Sequence, residues 1–324
     1  MIPPSLAAQP RIALGTLPTP LHPAPRLSEA AGVEIWFKRD DLTGLGLGGN
    51  KVRALEFVLG AAAAAGADCL ITGGGPSSNW AMLAALAART RGMDAVLVYY
   101  GDPVPFSGNL ALAEQVGAQI RFTGDPDRSS VERVAETIAD RMRAAGRTPY
   151  PLGRGGAGPV GALGYLTATA ELATQAREAG LKPRELWLAT GSCGTHAGLV
   201  AGAAVYGVDW AVHGVTVSRP VAECLDRVAT IAADACKLIG AAPPVGPPIV
   251  HPEALRASGY GEPSAESTAA AQLVARAEGV FLDPVFAAKA MAGLLSAARS
   301  GAARGPVVFL VSGGAPTLFA GHGH

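Results

Sequence analysis

Apolar and polar positions along this chain alternate between two rhythms: short apolar runs and longer stretches with a helical period. EIWFKRD (34–40) reads as a strand and VRALEFVLGAAAAAGA (52–67) as a helix. CLITGG (69–74), NWAMLAALAARTRG (79–92), AVLVYYG (95–101), GNLALAEQVGA (108–118) and QIRFTG (119–124) continue the alternation of strand and helix. A longer amphipathic helix is predicted over 129–146, with Val131, Val134, Ile138 and Met142 on one face. Strands alternating with helices of this length predict an α/β protein whose mostly parallel sheets are covered on both faces. The proline- and glycine-rich stretch from Pro149 to Gly161 reads as a lobe boundary, and Ala241 to Pro248 as an excursion loop. No internal repeat is visible, and the closing GHGH is expected to fray.

Composition narrows the class of function. The chain has 324 residues, 49% of them hydrophobic and 16% charged, enough for two compact lobes around a large core. Basic and acidic residues balance at 26 each, which argues against a nucleic-acid or anionic-membrane surface. No run of twenty apolar residues and no charged-then-apolar leader stands out, so neither a membrane span nor a secretory signal is expected. Cys69, Cys193, Cys224 and Cys236 are scattered without CxxC or Cys/His spacing, so no metal site or disulfide framework is signalled. That usage points to a reducing, cytoplasmic compartment.

Two segments carry candidate chemistry. In KRDDLTGLGLGGNK (38–51) a glycine-rich bend delivers Lys51 to the mouth of an apolar helix. Desolvation there disfavours the ammonium and leaves an amine able to attack a carbonyl, although a loop lysine is by default a solvated charge. In LWLATGSCGTHAGLVAG (186–202) a strand runs through a glycine and hydroxyl loop into a helix, an arrangement whose backbone N–H groups can hold a phosphate. The loop lacks the lysine of the nucleotide-binding pattern, so a small phosphate ester fits better. The alternative is a tight strand-to-helix turn. Cys193 reads as a small residue filling that turn rather than as a catalytic thiol, and nothing suggests that it meets His196. Together the amine and the phosphate cup suggest pyridoxal phosphate, whose aldehyde needs one and whose phosphate needs the other.

KRDDLTGLGLGGNKVRALEF, GGGPSSNWAMLAALAA, GSCGTHAGL, GYGEPSAEST, LDPVFAAKAMAGL and SGGAPTLFA occur in this order. The chain thereby resembles the D-cysteine desulfhydrase and 1-aminocyclopropane-1-carboxylate deaminase family, within the tryptophan synthase β-type pyridoxal phosphate enzymes, over about Leu14 to Ala320. The resemblance implies a small lobe of residues 55–165 inserted into a large cofactor-binding lobe of 1–54 and 166–324, with the active site in the cleft and a homodimer as the assembly. It implies that Lys51 forms the Schiff base and then removes the α-proton of a small amino-acid substrate. The phosphate falls to Gly191, Ser192, Cys193, Gly194 and Thr195, the ring hydroxyl to Asn79, and the pyridine nitrogen to Ser312. Asn50 and Ser78 would face the substrate. A neutral hydroxyl at the ring nitrogen weakens the electron sink and favours elimination or β-replacement over transamination.

The departures from the family pattern are also informative. Trp80 stands where a histidine usually follows SN, Phe286 where LDPVY has tyrosine, Phe309 where a tyrosine is frequent, and Val311 where a histidine is frequent. Trp80, Phe286 and Phe309 are therefore expected to make the substrate pocket more apolar. Cyclopropane opening, which the resemblance links to active-site tyrosines, is disfavoured because phenylalanine cannot hydrogen-bond or transfer a proton. The leading expectation is a lyase releasing pyruvate, ammonia and a β-leaving group from a cysteine-like amino acid. The others are a β-replacement synthase on the same scaffold and a catalytically decayed cofactor-binding module.

Overall fold

The computed structural model describes residues 2–252 and 262–319. Residues 259–261 of GYGEPSAEST and the closing GHGH lie outside the described residues. Helix α1 (Pro4–Ala7), strand β1 (Leu21–Pro23) and helix α2 (Pro25–Ala31) form an arm that leads into β2 (Ile35–Arg39). Then follow α3 (Lys51–Ala64), β3 (Cys69–Gly74), α4 (Asn79–Arg89), β4 (Asp94–Tyr99), α5 (Gly108–Gln115), β5 (Gln119–Phe122), α6 (Ser130–Ala144) and β6 (Pro149–Pro151). The chain continues through α7 (Pro159–Glu178), β7 (Glu185–Thr190), α8 (Gly194–Tyr206), β8 (Ala211–Thr216) and α9 (Val221–Leu238). It closes with β9 (Ile249–His251), α10 (Ala265–Glu278), α11 (Ala287–Arg299) and β10 (Val307–Val311).

The strands make two sheets. One runs β1-β2-β10-β7-β8-β9, with β1 antiparallel and all other pairs parallel; the other runs β5-β4-β3-β6 and is wholly parallel. The apolar runs of the sequence are strands buried on both faces. In β10, Val307, Phe309 and Val311 pack against α10 and α11, while Val308 and Leu310 pack with Tyr165 and Leu172 of α7 on the opposite face. In the smaller sheet Leu70 and Leu97 face α3 and α4, and Ile71, Val96 and Val98 face α6. Among the described residues no helix is long and apolar enough to cross a membrane.

The segment read as a lobe boundary is more ordered than expected. Pro149–Pro151 pairs with β3 as an edge strand, where a missing N–H costs no ladder bond, and α7 starts at Pro159. The proposed lobe limits at 54/55 and 165/166 both fall inside helices, α3 and α7. The stretch 241–248 contains neither helix nor strand, as expected.

A buried ionic network ties β2, α3 and α7 together immediately beside Lys51. Arg53 donates to Asp40 through Nε (2.7 Å) and to both oxygens of Glu171 (2.8 and 2.9 Å). Tyr165 and Thr19 donate to Asp40 at 2.5 and 2.6 Å, and Lys38 donates to Glu171, Gln175 and the Thr19 carbonyl. Burial pushes the Asp40 carboxyl upward, but the Arg53 guanidinium outweighs it and holds the group below the usual carboxylate range. The KRDD charges thus anchor the start of the glycine bend. At Gly48 a Cβ would lie 2.0 Å from the Asp41 carbonyl at φ +71°, so the bend requires glycine there.

Candidate active site

The loops at the C-terminal ends of β3, β4, β7, β8 and β10 open on one cavity between the two sheets, the position at which open α/β sheets bind ligands. Its empty volume is about 860 Å³ with the open solvent at its mouth included. Lysine and arginine line it, and among the described residues no aspartate or glutamate does.

Lys51 is the first residue of α3 and lines this cavity. Protein packed around the amine desolvates it and lowers its pKa from the ordinary 10.5 to about 8. Facing it across the cavity, β7 ends at Thr190 and α8 begins at Gly194. Cys193 lies between them at φ 78°, the one non-glycine residue with positive φ among the described residues. Such backbone costs about 1–3 kcal/mol and survives where the surroundings impose it. The surroundings here are three clamps on the loop. Asn50 Nδ2 donates to Thr195 Oγ1 at 3.0 Å, Ser192 Oγ donates to the Gly155 carbonyl at 3.3 Å, and Arg219 Nε donates to the Gly191 carbonyl at 3.2 Å. The backbone N–H groups of Gly191, Ser192 and Cys193 donate to nothing among the described residues. A rigid turn with free N–H groups at a helix N-terminus suits a phosphate dianion.

The site residues expected from sequence divide into three groups. Asn50, Lys51, Ser78, Asn79, Trp80, Gly191, Ser192, Phe286 and Ser312 all line the cavity, although they come from distant parts of the chain. Ser78 also caps α4, accepting from the Ala81 N–H at 3.2 Å, so its two readings coexist. Cys193, Gly194 and Thr195 build the loop from behind without lining the cavity. The Cys193 thiol is buried and pushed above the ordinary thiol range by its hydrogen bond to Cys224 and by burial, which suits turn-filling rather than catalysis. His196 turns away, with Nδ1 3.0 Å from Thr190 Oγ1, and burial lowers it to about 4.

Phe309 is a correction. It is fully buried in the middle of β10, packed edge-on to Phe37 within the core under α10 and α11, and does not line the cavity. Strand alternation sends its ring into that layer, while the cavity opens beyond the strand's end at Ser312. Trp80 needs refinement. Its indole N–H donates to Thr72 Oγ1 at 2.8 Å and its ring fills the space a Cβ at Gly156 would occupy, so it forms a fixed wall.

Sequence reasoning missed Tyr100, Arg128, Arg154 and Arg219, all of which line the cavity. Tyr100 and Arg219 each follow the C-terminal end of a parallel strand, and that position is the signal that could have found them. Asp283 was also missed. Its carboxylate accepts from the backbone N–H groups of Val285, Phe286 and Ala287, fixing the start of α11 and with it Phe286, and burial raises it to about 7. Among the described residues no group of three or more His, Cys, Asp or Glu is arranged for a metal ion.

A desolvated lysine amine and an anion-binding turn, set across a cleft between two α/β layers, define a pyridoxal phosphate type of site. Residues 12–313 match the family described as pyridoxal-phosphate dependent enzyme, and the chain belongs to that family. A protein of Pyrococcus abyssi provisionally named a 1-aminocyclopropane-1-carboxylate deaminase is 38% identical over 97% of this chain and 94% of its own. A D-cysteine desulfhydrase of Klebsiella pneumoniae is 38% identical over 99% of this chain and 98% of its own. The crystal structure of an ACC deaminase homologue superposes with a TM-score of 0.92 at 36% identity, covering 97% of this chain and 95% of that one. The chain is thus a pyridoxal phosphate enzyme of the ACC deaminase and D-cysteine desulfhydrase group, and its similarity to proteins of both names leaves the substrate open.

Proposed function

We propose that the chain is a lyase that carries out α,β-elimination on a small, cysteine-like amino acid and releases pyruvate, ammonia and the β-leaving group. The observation that carries this reading is the Lys51 amine, desolvated in a cavity that no carboxylate among the described residues lines, and set opposite a turn whose N–H groups donate to none of the described residues. When bound, pyridoxal phosphate supplies an electron sink for the carbanion that forms as the α-proton leaves. Lys51 holds the cofactor covalently and, once freed, takes the α-proton at Nζ. A pKa near 8 leaves a useful fraction of the amine unprotonated at neutral pH. The backbone of 191–195 holds the phosphate, Asn79 orients the ring, Ser312 meets its nitrogen without donating a full charge, and Ser78 with Asn50 positions the substrate carboxylate.

Phe286 supports elimination over cyclopropane opening, because a phenyl ring at this wall offers no proton. Phe309 no longer contributes to that argument, since it lies in the core. The test is direct. The purified protein with bound cofactor is expected to be yellow, and borohydride is expected to fix the cofactor onto Lys51, detected by peptide mass. Pyruvate should then appear from a panel of L- and D-amino acids bearing thiol, sulfonate, halide or acyl β-substituents. A colourless protein that takes up no cofactor overturns the reading. Turnover without pyruvate points to β-replacement, and no turnover across the panel points to a binding module.

A further inference from the structure

We infer that Tyr100 is a catalytic residue that donates its phenolic proton to the group leaving the β-carbon; this rests on the lyase reading above. Tyr100 directly follows β4 and lines the cavity. Its neighbour Tyr99 is fully buried in the core beside Phe122, so strand alternation turns Tyr100 the other way. The phenolic oxygen lies 2.8 Å from where a Cβ on Gly75 would stand, so the missing side chain at Gly75 makes room for it. Gly75 accepts from the Ser78 N–H, which places the phenol beside the turn that carries Ser78 and Asn79. Among the described residues Tyr100 Oη makes no hydrogen bond. Among the described residues the cavity's other hydroxyls, on Ser78, Ser192, Ser218 and Ser312, are aliphatic alcohols, far weaker acids than a phenol. The exposed Arg128 guanidinium sits 5.8 Å from the Tyr100 ring centroid, against the face of the ring.

The step balances. Lys51 Nζ takes the α-proton, the bond between Cβ and the leaving atom breaks with its electron pair on the leaving atom, and the Tyr100 O–H transfers its proton to that atom. The phenolate regains a proton from solvent at the open mouth. A proton donor helps most when the leaving group is a poor one. The proposal therefore selects amino acids whose β-substituent departs as a basic anion, such as a thiolate.

The test compares Tyr100→Phe with wild type, both loaded with cofactor, on S-methylcysteine and on β-chloroalanine in both enantiomers. Chloride leaves without a proton and methanethiolate does not. The variant is expected to lose about 100-fold in kcat on S-methylcysteine and less than about twofold on β-chloroalanine. Its pH profile on S-methylcysteine should lose the alkaline limb. A spectral titration with alanine, which has no β-substituent, should give the same dissociation constant for both proteins. Equal losses on both substrates, no loss on either, or a changed alanine affinity overturns the role of Tyr100. A wild type that eliminates chloride from neither enantiomer overturns the lyase reading itself.

Discussion

Lys38 is buried and Lys51 half-buried at the cavity, and both have lowered pKa values, yet they stand in opposite electrostatic settings. Around Lys38, burial disfavours the ammonium while Asp40 and Glu171 oppose that shift, and three oxygens accept its protons. Around Lys51 burial acts with no carboxylate among the described residues of the cavity wall to oppose it. The first lysine is a structural cation whose partners are complete. The second, in the function proposed above, is an amine kept available for chemistry, and the fold bears its desolvation cost. Burial alone does not make a reactive lysine; burial without a counter-charge does.

The same substitution at the two sites should therefore act in opposite directions. Lys51→Met is expected to reduce turnover by about 10³-fold or more and to abolish borohydride fixation. In the apoprotein it should raise stability. The folded value near 8 against an ordinary 10.5 corresponds to a cost on the order of 3 kcal/mol below pH 8, where folded and unfolded chains both carry the proton. Between about pH 8 and 10.5 the unfolded chain binds the proton that the folded chain releases, so wild-type stability rises towards that of the variant. Urea titrations of both apoproteins at pH 7 and pH 10 would show the gap narrowing; a constant gap sinks the assignment. Lys38→Met should instead destabilise by about 3 kcal/mol, because Gln175, Glu171 and the Thr19 carbonyl lose a buried donor. Cofactor affinity in that variant should stay near wild type. If Lys38→Met costs less than about 0.5 kcal/mol, the network is not the anchor described.

The sequence singled out Lys51 but not Lys38. The glycine bend and the apolar helix after it made Lys51 conspicuous, whereas the side-chain partners of Lys38, Glu171 and Gln175, lie on α7, more than a hundred residues away, in a stretch with no local charge pattern. Strands β3 and β4 were legible because their apolar runs are buried on both faces. Pro149–Pro151 was not, since proline marks turns far more often than edge strands. At the site, residues within glycine-rich motifs were found, while Tyr100 and Arg219 were not, because strand ends have no composition of their own. Phe309 was misplaced for the converse reason. Its family position suggested contact with substrate, but strand parity decides which layer a ring enters.

The smallest predicted effect probes the link between the reactive lysine and the phosphate turn. Asn50 precedes Lys51 and its side chain donates to Thr195 Oγ1 at 3.0 Å, while its backbone N–H donates to the Ser312 carbonyl at 2.9 Å. Asn50 makes no side-chain cap bond to α3, so truncation leaves the helix start and its backbone anchor intact. What Asn50→Ala removes is one hydrogen bond that orders the turn opposite the lysine. The expected loss is about 1 kcal/mol, roughly fivefold in cofactor dissociation constant, with apoprotein stability within about 0.5 kcal/mol of wild type. Absorbance titration of the apoprotein with pyridoxal phosphate reads the first quantity and urea unfolding the second. An unchanged dissociation constant would mean that the turn is ordered without Asn50. A large stability loss would mean that this bond belongs with the Lys38 network rather than with the cofactor site.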